Sequence, residues 1–261
     1  MLTIISVNYN ASLYLNANIE HLSRRDFLPK EFKWFVVDNS EEPDDLDARF
    51  NILPGVQSKG YDPDAHRIIW GGSIPHSLGL NSALSTIDFS SCQYLLVMDP
   101  DFYLLKPIDD ILSEMSSKQL GFAGADYTNL KKNLIRGFPT AFCMFVDLHQ
   151  VPLKDLDFRA GFESKEEMNH YGVFKDNGAN KPCLWPDTGW RISSKYKDGP
   201  LKYKVIANKP YQRLNGCDWY PQFAVHARMK VEKKKRDKLT DDRLFLKKLL
   251  KGGEEFSEIG L

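Results

Sequence analysis

The stretch Tyr94-Leu95-Leu96-Val97-Met98-Asp99-Pro100-Asp101 constrains the fold more than any other in the chain. Five apolar residues without polar alternation predict a strand buried on both faces, which requires a sheet covered by helices on either side. The two carboxylates then fall at the strand's C-terminal end, where open α/β sheets collect their ligands. Pro100 lacks an N–H and fixes φ, so it suits the strand's exit rather than its ladder. Carboxylates held this close repel unless a cation lies between them, and hard divalent metals prefer such oxygen ligands. Asp99 and Asp101 are therefore candidate metal ligands. Three other Asp-x-Asp triplets, Asp45/Asp47, Asp62/Asp64 and Asp155/Asp157, follow no buried strand and read as solvated turns.

Leu2–Val7 predicts another buried strand, followed by Asn8-Tyr9-Asn10 and by Leu15, Ile19 and Leu22 at helical spacing. Asn10 or Ser12 is available as the helix cap. Trp34-Phe35-Val36-Val37 predicts a second strand, closed by Asp38-Asn39-Ser40, and the strand–helix–strand order implies a parallel crossover. An acidic residue ending that second strand is placed to contact a nucleotide, although the same three residues also begin turns. Residues 41–70 read as a loop-rich connection with a short helix and strand. Gly71-Gly72-Ser73 precedes a helix carrying Pro75 in its first turn and Leu80, Ala83, Leu84 and Ile87 on one face. Glycines before a helix N-terminus permit approach of an anion, or form an ordinary loop.

Beyond residue 106 the pattern is less regular. Gly121–Ala125 and Phe138–Val146 predict strands of the same sheet, and residues 153–182 a helix with loops. In Trp185-Pro186-Asp187-Thr188-Gly189-Trp190-Arg191 an aspartate lies between two indoles. Indoles stack on sugar C–H surfaces or pack in cores, and an Asp between them would hold its proton more tightly. Asp187 as the cap of a helix opening at Thr188 is the alternative, and both can hold. Phe223-Ala224-Val225-His226 ends the folded part. A lone His is more often structural than a ligand, but this one adjoins a basic run from Lys230 to Lys238 that a bound metal would help to order. Leu239–Lys251 predicts an amphipathic helix, packed on its own domain, closing as a lid or lying on an acidic membrane surface.

Lys+Arg and Asp+Glu balance at 35 each, which removes any global argument for nucleic acid, and the basic run lacks interleaved aromatics. With 42% hydrophobic residues in 261, one large domain with an appendage is expected: 1–229, divided into halves 1–106 and 107–229, plus a tail 230–261. Cys92, Cys143, Cys183 and Cys217 form no Cys-x-x-Cys, so reduced thiols in a cytoplasmic protein are expected, with the inner face of the membrane as the place for any surface contact.

Taken in order, Ile4–Asn10, Val36–Ser40, His76–Leu84 and Leu96–Asp101 resemble a GT-A glycosyltransferase of the family-two type, over Leu2 to about His226. The resemblance implies an α/β fold with a mostly parallel central sheet flanked by helices, and transfer of sugar from a nucleoside diphosphate-sugar donor to a saccharide or glycolipid acceptor. It places Asn8, Tyr9, Asp38, Asn81 and Asp99 with the donor nucleotide. It gives Mn²⁺ or Mg²⁺ to Asp101 most directly, with Asp99 and His226. Asp187 would serve as the base of an inverting reaction, with Trp190 and Arg191 on the substrate. Pro186 stands where many members carry a second acid, and the Gln-x-x-Arg-Trp signature of processive synthases is absent, so single addition is implied. A sugar-nucleotide pyrophosphorylase would need a Gly-rich basic loop after the first strand, which Asn8–Ser12 lacks. A catalytically silent nucleotide- or carbohydrate-binding module is the rival outside enzymes.

Overall fold

A computed structural model describes residues 1–40, 42–56, 74–126, 133–176, 179–182, 184, 186–207, 213–214, 217–220 and 223–227. The expectations on Asp62/Asp64, Gly71–Ser73, Cys183, Trp185, the basic run and the C-terminal helix lie outside the described residues.

The chain opens with β1 (Leu2–Asn8), α1 (Ser12–Arg24), β2 (Phe32–Asp38) and β3 (Asn51–Pro54). After α2 (Ile74–Thr86) come β4 (Tyr94–Met98), β5 (Phe102–Leu104), α3 (Ile108–Lys118), β6 (Leu120–Ala125) and β7 (Cys143–Asp147). Next are α4 (Lys165–His170), the hairpin β8 (Val173–Asp176) and β9 (Ala179–Pro182), α5 (Trp190–Tyr196) and β10 (Lys202–Ile206). Three short strands finish the described chain: β11 (Arg213–Leu214), β12 (Cys217–Tyr220) and β13 (Ala224–His226).

The central sheet has seven strands in the order β10-β6-β7-β4-β1-β2-β3. β1 pairs in parallel with β2 and β4, β2 with β3 and β6 with β10, while β7 runs antiparallel to β4 and β6. Among the described residues the sheet is therefore mostly parallel, with one reversed strand, β7, beside the central β4. All of β4 is buried, and its residues divide between two cores. Leu96 and Met98 join Leu15, Ile19 and Leu22 of α1 on one face; Leu95 and Val97 join Leu80 and Ala83 of α2 on the other. Burial on both faces is why the strand shows no polar alternation.

Two expectations need correction. The apolar run Phe138–Val146 is only half a strand: residues 138–142 form a buried turn before β7. The Thr140 N–H and hydroxyl donate to the Ala125 carbonyl, and the Asp99 N–H donates to the Phe142 carbonyl. A buried turn needs apolar side chains as much as a strand does, so hydropathy does not separate them. The cap of α1 is neither Asn10, at φ 52°, nor Ser12, but Ala11. Two side chains replace it: Asn8 Oδ1 accepts from the Ala11 N–H, and Asp44 Oδ2 from the Ser12 N–H.

A second sheet, β11-β12-β13-β5, is antiparallel throughout and ties residues near 225 to the segment just after β4. Among the described residues no helix is long and apolar enough to cross a membrane.

Edge strand β10 is fastened to α3 by Glu114, whose carboxylate accepts from Lys204 Nζ at 2.7 Å and from Lys118 Nζ at 2.7 Å. Those ammonium groups hold the Glu114 carboxyl at about 2, below its usual 4.5. A depressed folded-state value contributes stability that is complete above the unfolded value and lost as pH falls towards 2. Lys204 is 41% exposed, so solvent screening keeps the effect near 0.5–1 kcal/mol. Urea unfolding at pH 7 and pH 3 should show Glu114→Gln less stable than the parent at pH 7 by that amount, with the gap narrowing at pH 3 and in high salt.

Candidate metal centre

The carboxylates of Asp99 and Asp101 leave the central sheet at the C-terminal end of β4. The histidine reaches them through the second sheet: β13 lies against β5 with His226 opposite Phe102 and Val225 opposite Tyr103. The Ala227 N–H donates to the Asp101 carbonyl at 2.9 Å, extending the pairing onto the Asp-Pro-Asp turn itself. His226 Nε2 then lies 3.4 Å from Asp101 Oδ1, with the imidazole stacked on Phe142 at 4.9 Å between ring centroids. One ligating atom each from Asp99, Asp101 and His226 falls within 4.8 Å of the others. Ligands about 2.1 Å from one ion stand roughly 3 Å apart when adjacent and just over 4 Å when opposite, so a small closure completes the site. Two carboxylate oxygens and an imidazole nitrogen suit Mn²⁺, and Mg²⁺ less well because it favours oxygen.

The charges point the same way. Asp101 and His226 are buried and Asp99 is partly exposed. Burial raises the Asp99 carboxyl above its ordinary value; His76 pulls it down, Asp101 pushes it up, His226 pulls down and Asp187 pushes up. A carboxyl raised by burial and by neighbouring acids is short of positive charge, which a divalent cation supplies.

His76 was not singled out from the sequence. It stands in the first turn of α2, with Nε2 3.3 Å from Asp99 Oδ1. The available signal was its place: a histidine opening the helix that leads into the acid-ended strand faces the same edge of the sheet.

Asp187 belongs to the same neighbourhood, since its charge is felt at Asp99. It does not cap α5. Gly189 holds that position at φ 86°, a left-handed backbone that favours glycine, and Asp187 instead accepts from the Thr188 N–H at 2.8 Å. Asn133 Nδ2 approaches Asp187 Oδ2 at 3.4 Å, and the Ile135 N–H donates to Asn133 Oδ1, fixing which end of the amide faces the acid.

The other expected site residues are spread among different tasks. Asn8 is fully buried, its amide donating to Asp38 Oδ1 at 2.9 Å, Ser40 Oγ at 3.0 Å and Asp44 Oδ2 at 3.0 Å. It therefore organises the end of β1, where Asp38 is partly exposed and Tyr9 is 38% exposed. Asp44, absent from the expectations, is the counterpart of Asn8. Burial raises its carboxyl, but hydrogen bonds from Ser12, Asn8 and Asp45 bring it below the usual value. Asn81 Oδ1 accepts from the Phe158 N–H at 3.0 Å, and the Phe158 carbonyl accepts from the Gly189 N–H, so Asn81 braces the Asp187 turn.

Trp190 and Arg191, expected on the substrate, are occupied otherwise. Trp190 is 2% exposed, donates from Nε1 to the Gly161 carbonyl and packs edge-on against Phe162 and Tyr171, so no indole face is open to a sugar. Arg191 is ion-paired with Glu167 at 2.9 Å and lies over the Trp190 ring.

No protein-family model and no curated protein sequence matches the chain. Solved structures do. The galactosyltransferase LgtC, in complex with donor and acceptor sugar analogues, aligns over 98% of this chain and 99% of its own at a TM-score of 0.52 and 12% identity. TarS residues 1–349 of S. aureus align over 60% of this chain at a TM-score of 0.38 and 16% identity, with this chain spanning 50% of that one. A mannosyltransferase from Pyrobaculum calidifontis, solved with GDP-Man and Mn²⁺, aligns at a TM-score of 0.37 and 13% identity, over 60% of this chain and 48% of its own. The last two overlaps are too loose to argue from. The alignment with LgtC runs end to end and agrees with the mostly parallel sheet and its single reversed strand: the chain has the GT-A glycosyltransferase fold.

Proposed function

We propose that the protein moves one sugar from a nucleoside diphosphate-sugar to an acceptor hydroxyl, with inversion at the anomeric carbon, in assembly of a polysaccharide or glycolipid. The observation that carries this reading is the Asp99, Asp101 and His226 group at the ligand-binding end of a GT-A sheet. LgtC, which aligns end to end, was solved with donor and acceptor sugar analogues, which supports a sugar donor and a sugar acceptor. Asp99, Asp101 and His226 would hold Mn²⁺ or Mg²⁺, which when bound offsets the negative charge that grows on a departing diphosphate.

The chain's own groups have distinct tasks. Tyr9 and Asp38, at the ends of β1 and β2, are placed for the nucleotide, and the Asn8 amide holds Asp38 in position. His76 steadies Asp99 from α2. Asp187 takes the proton of the acceptor hydroxyl as that oxygen bonds to the anomeric carbon and the carbon–oxygen bond to the diphosphate breaks. The Thr188 N–H and the Asn133 amide aim its carboxylate.

Thermal shift with UDP, GDP, dTDP and CMP, each with and without Mn²⁺, should single out one nucleotide whose stabilisation requires the ion. Asp101→Ala should abolish that metal-dependent shift and turnover together; a variant with full activity would falsify the metal assignment. Asp187→Asn should bind donor as the parent does yet lose about 10²-fold or more in kcat. Unchanged turnover removes Asp187 from the chemistry. A parent that binds nucleotide and releases no diphosphate with any acceptor is a binding module instead.

A further inference from the structure

The Asp-Pro-Asp turn is held from behind by α1. Three residues one helical turn apart on that helix, Tyr14, Asn18 and His21, each meet the segment 100–104. The Tyr14 carbonyl accepts from Tyr103 Oη at 3.2 Å, and His21 Nε2 lies 2.7 Å from the Leu104 carbonyl. Between them Asn18 Nδ2 donates to both the Pro100 carbonyl, at 3.3 Å, and the Phe102 carbonyl, at 2.8 Å.

Those two carbonyls flank Asp101. The carbonyl of Asp101 itself is taken by the Ala227 N–H, and that of Met98 by Ser6 Oγ at 2.7 Å. With three successive carbonyls fixed, the Asp101 peptide has little freedom to rotate, and its side chain leaves the backbone in one direction.

Asn18 is fully buried, and its Oδ1 has no hydrogen-bond partner among the described residues. A buried acceptor left unmade works against stability. An apolar residue would avoid that loss and pack against the same core, so the amide is poorly explained as a stabiliser of α1 alone. Its two donors are what the turn uses.

We infer that Asn18 is a positioning residue for the metal centre: by spanning Asp101 it sets the affinity of the Asp99–Asp101–His226 group for a divalent cation. This rests on the metal assignment proposed above. Outer-shell hydrogen bonds of this kind change metal affinity because the ligand must otherwise be ordered at the moment of binding.

The test is Mn²⁺ alone, titrated into the full chain and read by electron paramagnetic resonance of the free ion, at a temperature well below every variant's melting point. Asn18→Ala should weaken Mn²⁺ binding by about tenfold or more. Leu22→Ala, one turn further along the same buried helix, lowers the melting temperature without touching a turn carbonyl, and its Mn²⁺ affinity should stay within about twofold of the parent. Asn18→Ser, which retains one donor, should fall between Asn18→Ala and the parent, and supplies the comparison if the alanine variant does not fold. Unchanged affinity in the Asn18 variants overturns the inference and leaves the metal centre standing. An equal loss in Leu22→Ala overturns it as well, because general loosening of α1 would then explain both. A parent that takes up no Mn²⁺ sinks the metal centre, and this inference with it.

Discussion

The pairing of β13 with β5 is the contact on which the site depends. Three residues near 225 lie antiparallel to three residues near 103, and the register puts His226 beside Asp101. Everything contributed by the first hundred residues is local by comparison: a buried strand, its acidic exit and the helix behind it. Without the distant strand, the two aspartates would be a pair of neighbouring acids with His76 on one side. With it, the Asp101 carbonyl is satisfied from outside the turn, the imidazole is stacked on Phe142, and three side chains that could hold a metal ion converge.

That arrangement also explains why so many backbone groups around residues 98–104 are claimed by side chains. A sheet ladder satisfies its own N–H and C=O groups, but a turn leading from one sheet into another cannot. Ser6 takes the Met98 carbonyl, Asn18 those of Pro100 and Phe102, and His21 meets that of Leu104. Polar residues inside an otherwise apolar core are costly unless paired. Here they occupy the inward faces of β1 and α1, directly under the acids, and Trp34 Nε1 donates in turn to Ser6 Oγ at 3.1 Å.

The parts of this architecture legible in the sequence are those encoded by contiguous residues. The run Tyr94–Met98 announces a strand buried on both faces, and the acids after it mark a candidate metal site, because hydropathy and charge change abruptly over three positions. The two opening strands and α1 follow from the same logic. What was not legible depends on separation. Asn18 reads as one polar residue on an amphipathic helix until Pro100 is known to lie beneath it. Asn133 and Asp187 are 54 residues apart and meet at one hydrogen bond. Asn8 reads as a nucleotide contact, and nothing next to it in sequence announces that its amide donates to Asp38, Ser40 and Asp44 while its oxygen accepts from the Ala11 N–H. Trp190 misled for a related reason: an indole beside an acid suggests a sugar platform, but the ring's own burial decides whether a face is open.

Asp99 and Asp187 illustrate how placement divides labour between like residues. Asp99 sits among His76, Asp101 and His226, where burial and neighbouring acid work against its charge and the imidazoles work for it. It is therefore suited to share a cation. Asp187 receives a backbone N–H and faces an amide whose orientation is set by Ile135, so its direction is fixed by hydrogen bonds from the chain itself. Under the proposed reaction the two must act on opposite partners, one holding the donor's diphosphate in place and the other drawing a proton from the acceptor. The fold separates them by origin as well: Asp99 comes from the strand at the middle of the sheet, and Asp187 from a turn braced by Asn81 through Phe158. A shift in that turn would alter the acceptor's proton transfer while leaving the cation's ligands where β5 and β13 put them.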